Sequence, residues 1–252
     1  MVKRIFVASM VTMLCSLALA QNNKTLPPVA IGEKVIAPAI PGRAPLMAPD
    51  WHIKPPSIPF CPAKSCLYYG GDFDSSNSDA DALFNANDTA LSLEGQGWIG
   101  VKPARAAVIT GATFNELFTA GFVGTNPVVF QAQTGITTGN PGKLICDTGG
   151  NATMTVYGEA DFGLVQYSYT IKKLTNACKV QAGSKGATYV NLLPSSSNGY
   201  GYLVNTDSTN HVGWANDPDD CYFNGAAFNV AYVPCDTRGT FEFLSIALTG
   251  RQ

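Results

Sequence analysis

Two segments of the chain alternate large apolar residues with small or polar ones at a period of two: Tyr167-Ser168-Tyr169-Thr170-Ile171 and Thr240-Phe241-Glu242-Phe243-Leu244-Ser245-Ile246. Successive side chains of a β-strand point to opposite faces, so the pattern describes a sheet with one face buried and one wet. Short runs of β-type composition, these two segments within them, lie at 67–69, 106–109, 128–134, 144–146, 152–157, 165–174, 187–193, 200–204, 226–233 and 239–248. Gly-Asn, Asn-Pro, Asp-Thr-Gly-Gly, Ser-Asn-Gly and Asn-Asp-Pro-Asp punctuate them, and each of these favours a turn. Without long amphipathic repeats between the runs, a βαβ arrangement is excluded. An all-β, jelly-roll-like antiparallel sandwich is expected over 61–252. Single helical turns are expected at 80–87 and 114–120.

Charge points the same way. Only 13% of residues are charged, with 25 glycines and a formal net charge of −2. That is about half the usual charged fraction, too little for a charge-laced helical bundle. It also lacks the clustered Lys and Arg that displace counterions from nucleic acid, so no nucleic-acid partner is expected.

The chain opens with Lys3 and Arg4, then an uncharged apolar run from Ile5 that ends in Ala18-Leu19-Ala20. This is the pattern of a signal peptide over 1–20, cleaved after Ala20. As a helix the run reaches ~24 Å, short of a hydrocarbon core of about 30 Å, so no membrane span is expected there. A secreted, extracellular protein follows as the expectation.

Beyond the leader stand Cys61, Cys66, Cys146, Cys178, Cys221 and Cys235. An even number in an oxidising compartment reads as three disulfides, and sequence order pairs Cys61 with Cys66, Cys146 with Cys178 and Cys221 with Cys235. A zinc site would want close-spaced pairs of ligands, and no C-x-x-C occurs. Ten of the 16 prolines fall between Pro27 and Pro62. Each removes a backbone donor, so 21–60 reads as an extended Pro-rich arm or linker.

Chemistry-bearing residues gather in two places. The first is Asp72, Asp74, Asn77, Asp79 and Asp81, followed by Asn85, Asn87 and Asp88. Carboxylates this dense repel one another unless they are solvated, capping or neutralised by a cation. Two readings fit: turn and helix-cap chemistry with Ser78 or Asp79 as the N-cap, or a calcium site on Asp72, Asp74, Asn77, Asp79 and Asp81. The EF-hand template is absent. The second place is 207–220, around His211, the only histidine outside the arm. Any Ser-His-Asp hydrolase on this domain would need His211 as its base. No G-x-S-x-G elbow accompanies it, and Glu94, Glu116, Glu159 and Glu242 show no pairing that marks a glycosidase. Sugar rings stack on aromatic faces, and Trp98, Tyr200, Tyr202 and Trp214 stand beside glycine-bearing turns, which makes them the candidates for a ligand-binding shelf.

The run Tyr68-Tyr69-Gly70-Gly71-Asp72-Phe73-Asp74, with Asn85-Ala86-Asn87-Asp88, resembles the YGGDFD…NxND opening of a group of secreted bacterial proteins of unknown function. The stretch from Phe130 through Thr134-Gly135 to Gly139-Asn140-Pro141-Gly142 is similar to their strand with its two turns. The end, from Phe241 to Gly250, resembles their closing strand. The resemblance covers about 61–250. The six cysteines depart from it, as does Gly186-Ala187-Thr188-Tyr189-Val190, where an aromatic-rich GTYWL segment is usual. It implies an extracellular jelly-roll-like sandwich and assigns no activity. The expectation from all these features is a non-catalytic extracellular protein that binds a glycan or surface partner. A structural or adhesive surface component and a secreted hydrolase using His211 are the alternatives.

Overall fold

The computed structural model describes residues 61, 64–71, 82–88, 93–119, 127–160, 164–196, 201–206, 210–225, 229–234 and 243–252. The leader, the Pro-rich arm and most of the first acidic loop therefore lie outside the described residues. In chain order the strands are β1 (Cys66–Tyr69), β2 (Ala82–Phe84), β3 (Ala86–Asp88), β4 (Leu93–Lys102), β5 (Ala107–Thr119), β6 (Val128–Thr134), β7 (Lys143–Gly150), β8 (Thr153–Ala160) and β9 (Leu164–Ile171). There follow β10 (Cys178–Val180), β11 (Thr188–Ser196), β12 (Gly201–Thr206), β13 (Val212–Gly213), β14 (Ala215–Gly225), β15 (Val230–Pro234), β16 (Phe243–Leu244) and β17 (Ile246–Arg251).

These strands form two sheets, and all but one of their pairings are antiparallel. The ten-stranded sheet runs β13-β1-β17-β5-β12-β16, with β9 and β10 added on β5, β8 on β9 and β2 on β12. The seven-stranded sheet runs β15-β14-β4-β3-β11-β6-β7. The exception is the short parallel contact of β3 with β11.

The spine of the larger sheet is β5. Along one flank it pairs first with β10 and then with β9; along the other it pairs with β17 and then with β12. Ala112, Phe114 and Phe118 face the other sheet and meet Val128, Phe130, Ala132, Val190 and Leu192 in the main core. Burial of the Phe, Val and Leu side chains among them stabilises by roughly 1.5–3 kcal/mol each.

The helical turns expected at 80–87 and 114–120 are corrected to strand where the structure describes them. Ala82–Phe84 is drawn into the larger sheet by β12, Ala86–Asp88 into the smaller by β4 and β11, and 114–119 belong to β5. Long-range pairing overrides local propensity in each case.

Two disulfides are described, Cys61–Cys66 and Cys146–Cys178, both as sequence order pairs them. Cys221 is also disulfide-bonded, while Cys235 lies outside the described residues. Cys146 is on β7 and Cys178 on β10, so that bond joins one sheet to the other.

Candidate functional site

Alternation along β11 sends Val190 and Leu192 into the main core and turns Ala187 and Tyr189 to the opposite face of the seven-stranded sheet. A second hydrophobic cluster forms there from Trp98, Ile136, Ala187 and Tyr189, with half-buried Tyr222 and Tyr232 packed against it.

Register explains how the rings meet. Trp98 on β4 lies directly opposite Tyr222 on β14, and Tyr189 on β11 lies opposite Gly100 on β4. Gly100 carries no side chain, so Tyr189 and Tyr222 reach each other across β4, edge to face with ring centroids 5.6 Å apart. Tyr232 on β15 approaches Trp98 at 6.4 Å. Contacts of this kind contribute about 0.5–1.5 kcal/mol beyond burial.

The loop between β6 and β7 closes over this face. Ile136 is buried in the cluster, and the Gly139 N–H donates to the carbonyls of Ala231 and Tyr232 at 3.2 and 3.1 Å. Tyr232 itself has φ of 44°, a left-handed conformation that is strained for an aromatic residue and persists only where its surroundings enforce it. Among the described residues, two buried atoms of this cluster and its neighbours have no hydrogen-bond partner, the Trp98 indole Nε1–H and the Gln133 Oε1. Gln133 stands opposite Tyr189 in the β6–β11 register, which places it on the aromatic side. The half-buried rings of Tyr222 and Tyr232 are the ring surface that this face leaves for stacking.

A different polar group sits between the sheets. Asn85 is the single residue between β2, which belongs to one sheet, and β3, which belongs to the other. Its N–H donates to the Gly201 carbonyl in the first sheet at 2.8 Å. Its side chain serves the second, where β4 and β11 part to admit β3. Asn85 Nδ2 donates to the Leu192 carbonyl at 2.6 Å, and Asn85 Oδ1 accepts from the Gly97 N–H at 3.2 Å and from Asn191 Nδ2 at 2.8 Å. Asn191 Nδ2 also donates to the Gly97 carbonyl at 2.7 Å. Asn85 Nδ2 finally donates to Glu116 Oε1 at 2.5 Å. Glu116 is wholly buried, and burial holds its carboxyl well above the usual range against the opposing effect of the Asn85 hydrogen bond. Burial, with Glu116 and Tyr167 nearby, likewise pushes the Tyr169 phenol up.

Of the residues singled out from sequence, Trp98 belongs to the aromatic cluster, as its fully buried floor rather than an exposed shelf. Trp214 is 2% exposed and belongs to the main core, away from that cluster, so it offers no stacking face. Tyr202 is in β12 opposite Leu117 and Phe84, and Tyr200 lies outside the described residues.

The calcium candidates Asp72, Asp74, Asn77, Asp79 and Asp81 also lie outside them. The described residues at either end of that segment are anchored on one strand: Thr206 Oγ1 donates to the Gly70 carbonyl at 2.9 Å, and Ala82 pairs with Val204. His211 Nε2 is 3.1 Å from the Trp214 carbonyl, which requires that nitrogen to carry the hydrogen, and its ring meets Tyr68 edge-on at 5.8 Å.

Sequence reasoning missed Tyr189, Tyr222, Tyr232 and Gln133. The usable signal was parity: Tyr189 alternates with Val190 and Leu192 inside a recognised strand. Comparison of the chain with protein-family models, curated proteins and solved structures finds no match.

Proposed function

We propose that the chain is a secreted, disulfide-stabilised β-sandwich protein that binds a neutral glycan on the outer face of its seven-stranded sheet. The observation that carries this reading is the aromatic cluster of Trp98, Tyr189, Tyr222 and Tyr232, whose outer two rings, Tyr222 and Tyr232, are only half-buried. Half-buried Tyr222 and Tyr232 offer ring surface for the apolar face of a pyranose. The leader-like 1–20 segment, the disulfides and the resemblance to secreted bacterial proteins support an extracellular setting, where glycans are the abundant neutral ligands.

Binding of the disulfide-bonded protein to a glycan array tests the proposal, with Tyr222→Ala and Tyr232→Ala as controls. Loss of a stacking ring is expected to weaken binding about tenfold, corresponding to about 1.4 kcal/mol. Absence of any glycan ligand, or binding indifferent to both substitutions, defeats the reading.

A second reading, an adhesive component, is favoured by Leu144, 51% exposed on β7, and Met154, 39% exposed on β8. Both strands lie at edges of the described sheets. That reading predicts self-association, measurable by sedimentation, that is sensitive to Leu144→Lys and insensitive to Tyr222→Ala.

A further inference from the structure

We propose that Glu116 is a proton-controlled latch between the two sheets: as the neutral acid it holds the Asn85 crossover closed, and loss of its proton loosens the junction where β4 and β11 part. This proposal is independent of the glycan reading.

The geometry carries it. Glu116 occupies an inward position of β5 between Phe114 and Phe118, with Tyr167 of β9 opposite on one flank and Leu203 of β12 opposite on the other. One carboxyl oxygen, Oε1, accepts from Asn85; the other, Oε2, has neither partner nor solvent. A neutral acid tolerates this arrangement by carrying its proton on Oε2. A carboxylate does not, because a buried anion needs several donors or a cation.

Asn85 has no further donor to give. Its Nδ2 already serves both Glu116 and Leu192, and its Oδ1 is held by Gly97 and Asn191. The described titratable groups facing Glu116 are Tyr167 and Tyr169 of β9, both phenols raised by burial. Among the described residues no cation lowers the Glu116 carboxyl, and the Asn85 hydrogen bond is what opposes its burial. Deprotonation therefore places an uncompensated charge on the residue that ties one sheet to the crossover into the other. Rotating Asn85 to meet that charge would release Gly97 and Leu192.

The direction with pH follows. An acid whose proton is held more tightly in the folded state contributes stability that is complete below its unfolded value, near 4.5, and is lost as pH rises toward the folded value. Over that window the Glu116 contribution to the folding equilibrium constant falls about tenfold per pH unit.

Urea unfolding of the disulfide-bonded protein between about pH 4 and 9 is compared with that of Glu116→Gln, whose amide cannot ionise. The wild type is expected to lose stability relative to the variant as pH rises. Exchange of the Gly97 amide hydrogen is expected to accelerate in the wild type more steeply than intrinsic base catalysis, and not in the variant. Parallel pH profiles overturn the latch, as does Gly97 exchange that is the same in both proteins. If Glu116→Gln does not fold, the infrared carbonyl band of a protonated carboxylic acid decides in the wild type. It should persist at neutral pH in the native state and vanish on unfolding, and its absence from the native state overturns the proposal.

Discussion

Where a sheet divides, backbone donors and acceptors lose their partners, and an asparagine amide can supply both kinds in their place. Asn85 does this between β4 and β11, serving the Gly97 N–H and the Leu192 carbonyl at once. Asn115, on the larger sheet between the stretches of β5 paired with β17 and with β12, is different: among the described residues its amide meets a side chain and no backbone group. Its backbone N–H donates to the Ser245 carbonyl at 3.0 Å, and its side chain donates to Ser245 Oγ at 2.7 Å. The two replacements by alanine should therefore differ. Asn85→Ala strands several buried groups at about 1–3 kcal/mol each and is expected to cost roughly 3–5 kcal/mol. Asn115→Ala keeps its backbone bond and is expected to cost about 1 kcal/mol. Urea unfolding at constant pH gives both values; equal costs would mean that the Asn85 network does not bridge the sheets. Neither role was legible in sequence. Asn85 stands in a segment that reads as a helical turn after a run of acidic and amide residues, and Glu116 reads only as a carboxylate without a pairing partner. Single residues with long-range partners carry no periodic signal.

The same obstacle operates on elements. In β5, Phe114, Glu116 and Phe118 share the inward face, but a carboxylate in the middle interrupts the apolar alternation, and the segment read as a helical turn. β4 contains Gly95, Gly97 and Gly100, and β14 contains Pro218 among Asp217, Asp219 and Asp220, so both read as turns. Pairing of β14 with β4 shifts register between Asn216 and Cys221, an irregularity that accommodates the proline. By contrast, Val128–Thr134 was legible with both bounds because nothing interrupts its β-branched and aromatic run. The loop after it gives a prediction at this scale. Gly139 and Gly142 have φ of 74° and 70°, but a Cβ on Gly139 meets nothing within 4 Å, whereas one on Gly142 falls 2.2 Å from the Thr134 carbonyl oxygen. Gly139→Ala is expected to cost about 1–2 kcal/mol from backbone conformation alone. Gly142→Ala should cost more and also disturb Ile136 over the aromatic cluster, lowering glycan affinity on the proposed reading. Thermal melts and binding of the two variants separate these outcomes; equal melting temperatures would contradict the steric argument.

At the scale of the molecule, the all-β class was legible because low charge, period-two runs and dense turn signals agree, and both described disulfides follow sequence order. Which strands join which sheet was not, since that depends on crossovers such as Asn85. The two described disulfides should differ in weight. Cys61–Cys66 closes a separation of 5 residues, and Cys146–Cys178 one of 32. In the loop-entropy description these correspond to about 2 and about 4 kcal/mol. The longer link also fastens β7, an edge strand whose ladder with β6 is already interrupted by a bulge, to β10 in the other sheet. Bulges and covered edges discourage pairing between molecules, so the bond protects the edge as well as the fold. Replacing both Cys146 and Cys178 by alanine is expected to lower the melting temperature by roughly 8–16 °C, given about 2–4 °C per kcal/mol for a domain of this size. Replacing Cys61 and Cys66 should lower it by about half as much. The first double variant, and not the second, should also show concentration-dependent sedimentation as the β7 edge and exposed Leu144 become free to pair. Equal melting shifts, or self-association in both variants, would remove the cross-sheet bond from its place as the principal covalent tie of the sandwich.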